Sequence, residues 1–432
     1  MNYEETINFL FNQLPAFERQ GNAGYKPGLQ TSIDLDNLFG NPHQAYQCIH
    51  VAGTNGKGSV SHLIAAILQQ QGYKVGLYTS PHLVDFRERM RVNGEMISKD
   101  AVMSFMDRYF ATGYEGKPSF FELTSTMAMD YFKQQKVDFA VIEVGLGGRL
   151  DSTNIITPIL SVITNITLEH TQFLGNTLAA VASEKAGIIK NNIPVVIGEA
   201  TGEVRETFEK KALQEAAPIT FAEDSPEVLS ATFEDGKIVL KTAIFGTITD
   251  QLAGEYQIAN ANTVLTAIQA LLGGGIDISE KAVVEGFAQV CTLTGLIGRW
   301  QQLQAKPRVI CDSGHNVGAF RHIVKQLQQE HYDKLHMVIG FMKDKNVDDV
   351  LEMLPKDACY YFTNAATPRA MAAAELAEKA AQHGLQGSVI SDACEAKKVA
   401  IAHAGNDDLV YLGGSMYVLA EVLTELQENQ RL

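Results

Sequence analysis

Along the first half of the chain, short apolar runs recur at residues 49–52, 75–78, 139–144, 160–164 and 195–198. Most are separated by stretches long enough for a crossover helix, which predicts a largely parallel sheet covered on both faces. From about Ser230 to Thr249 the pattern shifts to brief alternating runs around Asp235-Gly236, predicting a small antiparallel appendage. A helical stretch over 259–272 ends in Gly273-Gly274-Gly275, and residues 294–299, with Gly295, Gly298 and little periodicity, read as a linker. Beyond it a second alternation begins, with strand-like runs at 309–311, 337–340, 360–363, 388–390 and 410–413 and Ala-rich helices such as 371–383. The expected fold is therefore α/β: a mostly parallel sheet domain with an antiparallel appendage over residues 1–297, then a smaller Rossmann-like domain over 298–432.

Composition changes this picture in three respects. At 432 residues, 46% of them apolar, the chain exceeds what one core usually supports, so two domains are expected. A net charge of −15 argues against broad nucleic-acid or membrane-surface binding, so an anionic substrate must be drawn in by local groups such as Lys57 or Arg149. The five cysteines, Cys48, Cys291, Cys311, Cys359 and Cys394, are odd in number and lack zinc-site spacing, and read as reduced core residues of a cytoplasmic protein. No basic leader opens the chain, and no apolar run has membrane-spanning length.

Candidate chemistry gathers at strand ends. The run 48–52 breaks into Gly53-Thr54-Asn55-Gly56-Lys57-Gly58-Ser59 and opens a helix bearing Val60, Leu63, Ile64, Ile67 and Leu68. Glycines let backbone N–H groups converge on phosphate oxygens, the helix start adds positive dipole and Lys57 a mobile cation, so this is a nucleotide-phosphate cradle. The usual pattern places Ser or Thr directly after the lysine as a ligand of the nucleotide's Mg²⁺; here Gly58 stands there, so another residue must hold the metal. Glu143 closes the strand 139–144 beside that loop and suits the task, the alternative being an exposed strand-end carboxylate. The polar, glycine-rich run Gly145 to Asn154 follows as an ordered loop.

Three further groups stay open on residues alone. His170, beyond the strand 160–164, is either a structural histidine or a metal ligand. Lys185, in Ser183-Glu184-Lys185-Ala186-Gly187, is either solvated or turned toward the site, where a plain ammonium would be repelled by divalent metal. Asp312-Ser313-Gly314-His315-Asn316 suits ribose, phosphate or proton handling, with helix capping as the competitor.

Taken in order, the glycine loop, Thr79-Ser80-Pro81-His82, Arg91-Val92-Asn93-Gly94-Glu95, Glu143 with its loop, Leu168-Glu169-His170-Thr171, Ser183 to Gly187, Gly298-Arg299 and Asp312 to Asn316 resemble the folylpolyglutamate synthase and dihydrofolate synthase family of Mur-type amide ligases, over nearly the whole chain. The resemblance implies that Gly53, Thr54, Asn55, Gly56, Lys57, Gly58, Ser59, Asn260, Arg299 and Asp312 contact ATP. It implies two Mg²⁺ ions, with Ser80 and Glu143 on one and His170 on the other, and Lys185 carried as a carbamate, which turns a cation into an anion. His315 matches a residue near the transferred phosphate, so Lys57, Lys185 and His315 form the implied catalytic set. His82, Phe121, Thr124 and Asp151 fall on the pterin side, while Ile297 and Val317 replace prolines common in the family.

The reaction so implied is ATP-dependent attachment of L-glutamate to dihydropteroate or a reduced folate through an acyl phosphate, by a monomer. A cell-wall ligase is the alternative within the class, though only about fifty residues precede the phosphate loop where an additional N-terminal domain would stand. A P-loop regulatory NTPase without ligase activity is the alternative outside it.

Overall fold

The computed structural model describes residues 1–15, 28–234 and 236–431. Among the described residues, eleven strands precede the linker. β1 (Gln47–Ala52), β2 (Val75–Tyr78), β3 (Met90–Val92), β4 (Glu95–Met96), β5 (Phe139–Glu143), β6 (Leu160–Ile163), β7 (Val195–Ile197) and β8 (Ile219–Phe221) form an eight-stranded sheet in the order β4-β3-β2-β5-β1-β6-β7-β8. All pairings from β2 to β8 are parallel, with Val51 opposite Glu143 and Ala52 opposite Ile163, so the ends of β1, β5 and β6 meet at one edge. Only β3 runs against the others, pairing antiparallel with both β2 and β4.

The helix Lys57–Gln70 is buried continuously from Ser59 to Leu68, more than one amphipathic stripe would give. It lies on the sheet and is covered in turn by Gln257–Gly273 and Glu280–Ala288. The predicted appendage is three-stranded, β9 (Val228–Glu234), β10 (Lys237–Thr242) and β11 (Thr247–Asp250); Asp235 of its turn lies outside the described residues, while Gly236 has φ 71°. Ile238, Leu240 and Ile248 enter the same core as Val60 and Ile64, so the appendage covers the phosphate-loop helix.

After the linker, β12 (Gln301–Ala305), β13 (Arg308–Cys311), β14 (Leu335–Ile339), β15 (Cys359–Phe362), β16 (Gly387–Val389) and β17 (Leu409–Gly413) form a second sheet, ordered β12-β13-β17-β14-β15-β16. Only β12 is antiparallel to its neighbour. Two apolar clusters cover its faces, and each takes in a residue from before the linker, Ala253 in one and Leu83 in the other. The cysteines are free; Cys48 and Cys311 are buried and Cys291 and Cys394 half-buried. Cys359 corrects the expectation of core placement: it is the first residue of β15, whose burial begins only at Tyr360, and is exposed. Among the described residues no helix is long and apolar enough to cross a membrane.

Candidate functional site

The carboxyl ends of β1, β5, β6 and β13 open into a cavity of about 1020 Å³ between the two sheets. The phosphate loop forms its floor, and two of its glycines are dictated by contact. Gly53 has φ 143° and a Cβ there would stand 1.9 Å from Thr164 Oγ1; Gly56 has φ 84° and a Cβ would stand 2.2 Å from Asn260 Oδ1. The end of β6 clamps the loop: Thr164 Oγ1 donates to Asn55 O at 2.5 Å, Asn55 N to Asn165 Oδ1 at 3.0 Å, and Thr167 N to Thr54 Oγ1 at 3.1 Å. Lys57 Nζ folds back onto the carbonyls of Gly53 and Thr54, each at 3.0 Å. Lys185 Nζ donates to the same Gly53 oxygen at 2.7 Å and is 4% exposed. Burial, reinforced by Lys57, lowers its pKa to about 7. The structure thus turns Lys185 inward rather than to solvent.

Glu143 is buried at the cavity wall, where Ser80 N donates to its Oε2 at 2.9 Å. Burial raises its pKa, opposed by Lys57 and the Ser80 N–H. Gly58 faces this carboxylate: a Cβ there would lie 3.5 Å from an Arg299 nitrogen and 3.9 Å from Glu143 Oε1. Among the described residues no three His, Cys, Asp or Glu side chains group as a metal cage. A sparse set, one buried carboxylate with a neighbouring hydroxyl, suits Mg²⁺, which keeps waters and phosphate oxygens as most of its ligands. His170 lines the cavity in a left-handed conformation, φ 51°, with its pKa lowered to about 4 by burial despite Glu169 3.7 Å away.

The second domain contributes the opposite wall. Arg299 hydrogen-bonds to Ser313 Oγ and to Gly298 O. Asp312 is buried and fully engaged: its Oδ2 accepts from Tyr256 Oη at 2.5 Å and Trp300 N at 2.8 Å, and its Oδ1 from Gly314 N at 2.7 Å. Burial raises its pKa against those donors. His315 Nδ1 faces Ser313 O at 3.1 Å and Nε2 faces Glu169 Oε1 at 3.0 Å. Both ring nitrogens thus face acceptor oxygens. Glu169 also accepts from Lys345 Nζ at 2.6 Å and Asn316 Nδ2 at 3.4 Å. Burial would raise its pKa, but Lys345, then His315 and His170, hold it well below the usual carboxylate range.

Of the acceptor-side residues, His82 and Phe121 line the cavity, with Phe11 and Phe120 completing an aromatic wall; the rings of Phe11 and Phe120 lie 5.0 Å apart. Asp151 also lines it, yet its oxygens hold the glycine loop, accepting from Leu146 N at 2.8 Å, Thr153 N at 3.0 Å and Thr153 Oγ1 at 2.5 Å. Thr124 corrects the expectation: one turn further into the helix Phe120–Gln135, it is 0% exposed and outside the cavity lining, its hydroxyl facing Phe121 O and Tyr78 Oη. Ser59 and Asn260 both lie against the loop, joined through Gln257, which donates to Ser59 Oγ at 3.1 Å and accepts from Asn260 Nδ2 at 2.7 Å. Arg149 pairs with Glu184 at 2.8 Å and does not line the cavity. The residues missed by sequence reading include Glu169, Lys345, Tyr256, Phe11 and Phe120. Only Glu169 stood inside a noted motif, and its sole signal was a charge beside a histidine at a strand end.

Family models match the chain twice: the Mur ligase middle domain over residues 51–268 and the Mur ligase glutamate ligase domain over 298–416. A Bacillus subtilis protein named dihydrofolate synthase/folylpolyglutamate synthase is 33% identical over 94% of this chain and 96% of its own length. The chain spans about half the length, 50% and 52%, of matching relatives from Haloferax volcanii and Halobacterium salinarum. Among solved structures, E. coli FolC in complex with DHPP and ADP superposes with a TM-score of 0.86 at 30% identity, covering 100% of this chain and 99% of that one. A bifunctional folylpolyglutamate synthase/dihydrofolate synthase from Yersinia pestis, complexed with AMPPNP and Mn ion, gives 0.83 at 27% identity, covering 99% and 98%.

Proposed function

This chain belongs to the folylpolyglutamate synthase/dihydrofolate synthase family of Mur-type ligases, and from that premise we propose that it attaches L-glutamate to both dihydropteroate and reduced folates, driven by ATP. One observation carries the reading: Lys57, Glu143, Arg299 and His315 converge from two sheets on a single cavity with an aromatic wall at one end. In that reading the acceptor carboxylate attacks the γ-phosphorus of ATP, ADP leaves, and the amine of glutamate then displaces phosphate from the acyl phosphate. Phosphoryl transfer needs positioning and charge neutralisation, so the cradle, Lys57 and Arg299 orient the triphosphate while the space between the domains excludes water.

Mg²⁺ would be held by Ser80 and Glu143, with His170 serving a second ion, and bound there it would neutralise charge on the phosphates. A lysine whose pKa is lowered to about 7 keeps a large neutral fraction, the form that adds CO₂; this supports a carbamate on Lys185. The hinge is assigned to the passage between residues 297 and 298. Because residues of one chain enclose the cavity, a monomer suffices, and the unpaired cysteines fit the cytoplasm.

The test is ADP release with dihydropteroate and with tetrahydrofolate, each with and without L-glutamate. Glutamate-dependent turnover with both acceptors is expected; ATP hydrolysis indifferent to glutamate would identify a regulatory NTPase instead.

A further inference from the structure

Glu169 occupies a place that the phosphate chemistry alone does not require. It sits in the segment after β6, at 12% side-chain exposure, and its hydrogen-bond partners Lys345, His315 and Asn316 all belong to the second sheet's strand-end loops. Asn316 extends the contact to the phosphate loop itself, its Nδ2 donating to Asn55 Oδ1 at 2.9 Å. The approach is tight: a Cβ on Gly318 would lie 3.0 Å from Asn55 Nδ2. One carboxylate of the first domain thus gathers an ammonium, an imidazole and an amide of the second, directly above the loop that cradles phosphate.

We propose that Glu169 is a positioning residue for the ligation: it clasps Lys345 and His315 against the phosphate loop and so delivers His315 to the transferred phosphate only in the closed molecule. The inference rests on the ligase reading above. Lys345, only 15% exposed on its side chain, is the principal counter-charge, and in a molecule opened at the linker both charges return to water. The clasp therefore couples two events that a ligase must synchronise, completion of the charged site and exclusion of solvent. Glu169 acts through His315 and Lys345, with which it lines the cavity.

The experiment uses the full chain with Glu169→Gln, Lys345→Met and the double variant. Lys345→Met removes one charge-assisted contact, and Glu169→Gln weakens that one together with the contact to His315; each lowers the ligation kcat roughly 10- to 100-fold, while the Kd for AMPPNP moves less than about 3-fold. The double variant is no worse than the poorer single, because both remove the same pair. Released ADP exceeds amide formed in the variants and matches it in the wild type. Spin labels on the helix Gly202–Gln214 and the strand Gly387–Val389 report closure: AMPPNP with tetrahydrofolate shortens the distance in wild type and leaves a broad, open population in Glu169→Gln. A residue that merely stabilised the fold would lower Tm and leave both the coupling ratio and the distance distribution unchanged. Additive single effects, or normal closure in Glu169→Gln, overturn the proposal. Absence of amide from the wild type overturns the ligase reading instead, and the distance measurement still judges the clasp.

Discussion

Lys185 Nζ shares the carbonyl oxygen of Gly53 with Lys57, so two amines converge on one backbone acceptor at the phosphate loop. Two adjacent ammonium groups, one of them buried, repel; the lowered pKa of Lys185, about 7, follows from burial first and from Lys57 second.

That relationship makes activity sensitive to pH and CO₂. In the proposed carbamate only the neutral amine adds CO₂, so activity is expected to fall as pH drops through about 7 and to recover when bicarbonate is restored to degassed buffer. Lys185→Ala loses roughly 100-fold or more of ligase activity, and short carboxylic acids partly restore it by supplying the missing anion. Full activity of Lys185→Ala without added acid would show that the lysine is not part of the machinery.

Gly58 leaves room for a hydroxyl facing Glu143. A Cβ at that position meets nothing closer than 3.5 Å, so Gly58→Ser folds normally. Ser80→Ala raises the Mg²⁺ requirement by about 10-fold and Glu143→Gln by more. Adding Gly58→Ser to Ser80→Ala restores the wild-type titration, since the new hydroxyl takes the vacant ligand place. A Mg²⁺ titration unchanged in Glu143→Gln would remove the metal from this carboxylate.

Phe121 and Thr124 separate the cavity wall from the core behind it. Phe121→Ala raises the acceptor KM about 10-fold, near 1.4 kcal/mol of lost contact, whereas Thr124→Val lowers stability by ~1 kcal/mol and leaves the acceptor KM unchanged. Steady-state kinetics with thermal melts distinguishes them; an altered acceptor KM in a stable Thr124→Val would return that residue to the substrate side.

Asp250 is 0% exposed with Oδ2 unpartnered among the described residues, and burial pushes its pKa up to about 8. Between the ordinary 3.8 and about 8 only the folded state keeps the proton, so unfolding releases it and stability falls by about 1.4 kcal/mol per pH unit across that window. Asp250→Asn abolishes this slope. Its advantage over wild type grows on the order of 2–4 kcal/mol from pH 5 to pH 8 in urea melts; an advantage independent of pH would mean that Asp250 is ionised in the fold.

Much of this was legible in the sequence because it is local. Apolar runs of four to six residues have few ways to be buried, and the strands at 49–52 and 160–164 fall inside or beside β1 and β6. Gly53 and Gly56 announce themselves because no other residue fits their backbone and neighbours. Thr124 was misplaced because helix periodicity gives a face, while the cavity touches only the first turn of that helix. Glu169 and Lys345 were invisible as a pair: they lie 176 residues apart on loops of different sheets, and no local pattern encodes which strand ends face each other.

Leu83 and Ala253 have a consequence beyond the site. Both come from before the linker, yet their side chains are packed within the apolar clusters of the second sheet. A chain severed between Ile297 and Gly298 would therefore leave the second fragment with two unfilled apolar depressions and the first with exposed apolar surface to match. The topology shows two domains, but thermal denaturation of the intact chain should follow a single cooperative transition, because neither half can melt without uncovering part of the other.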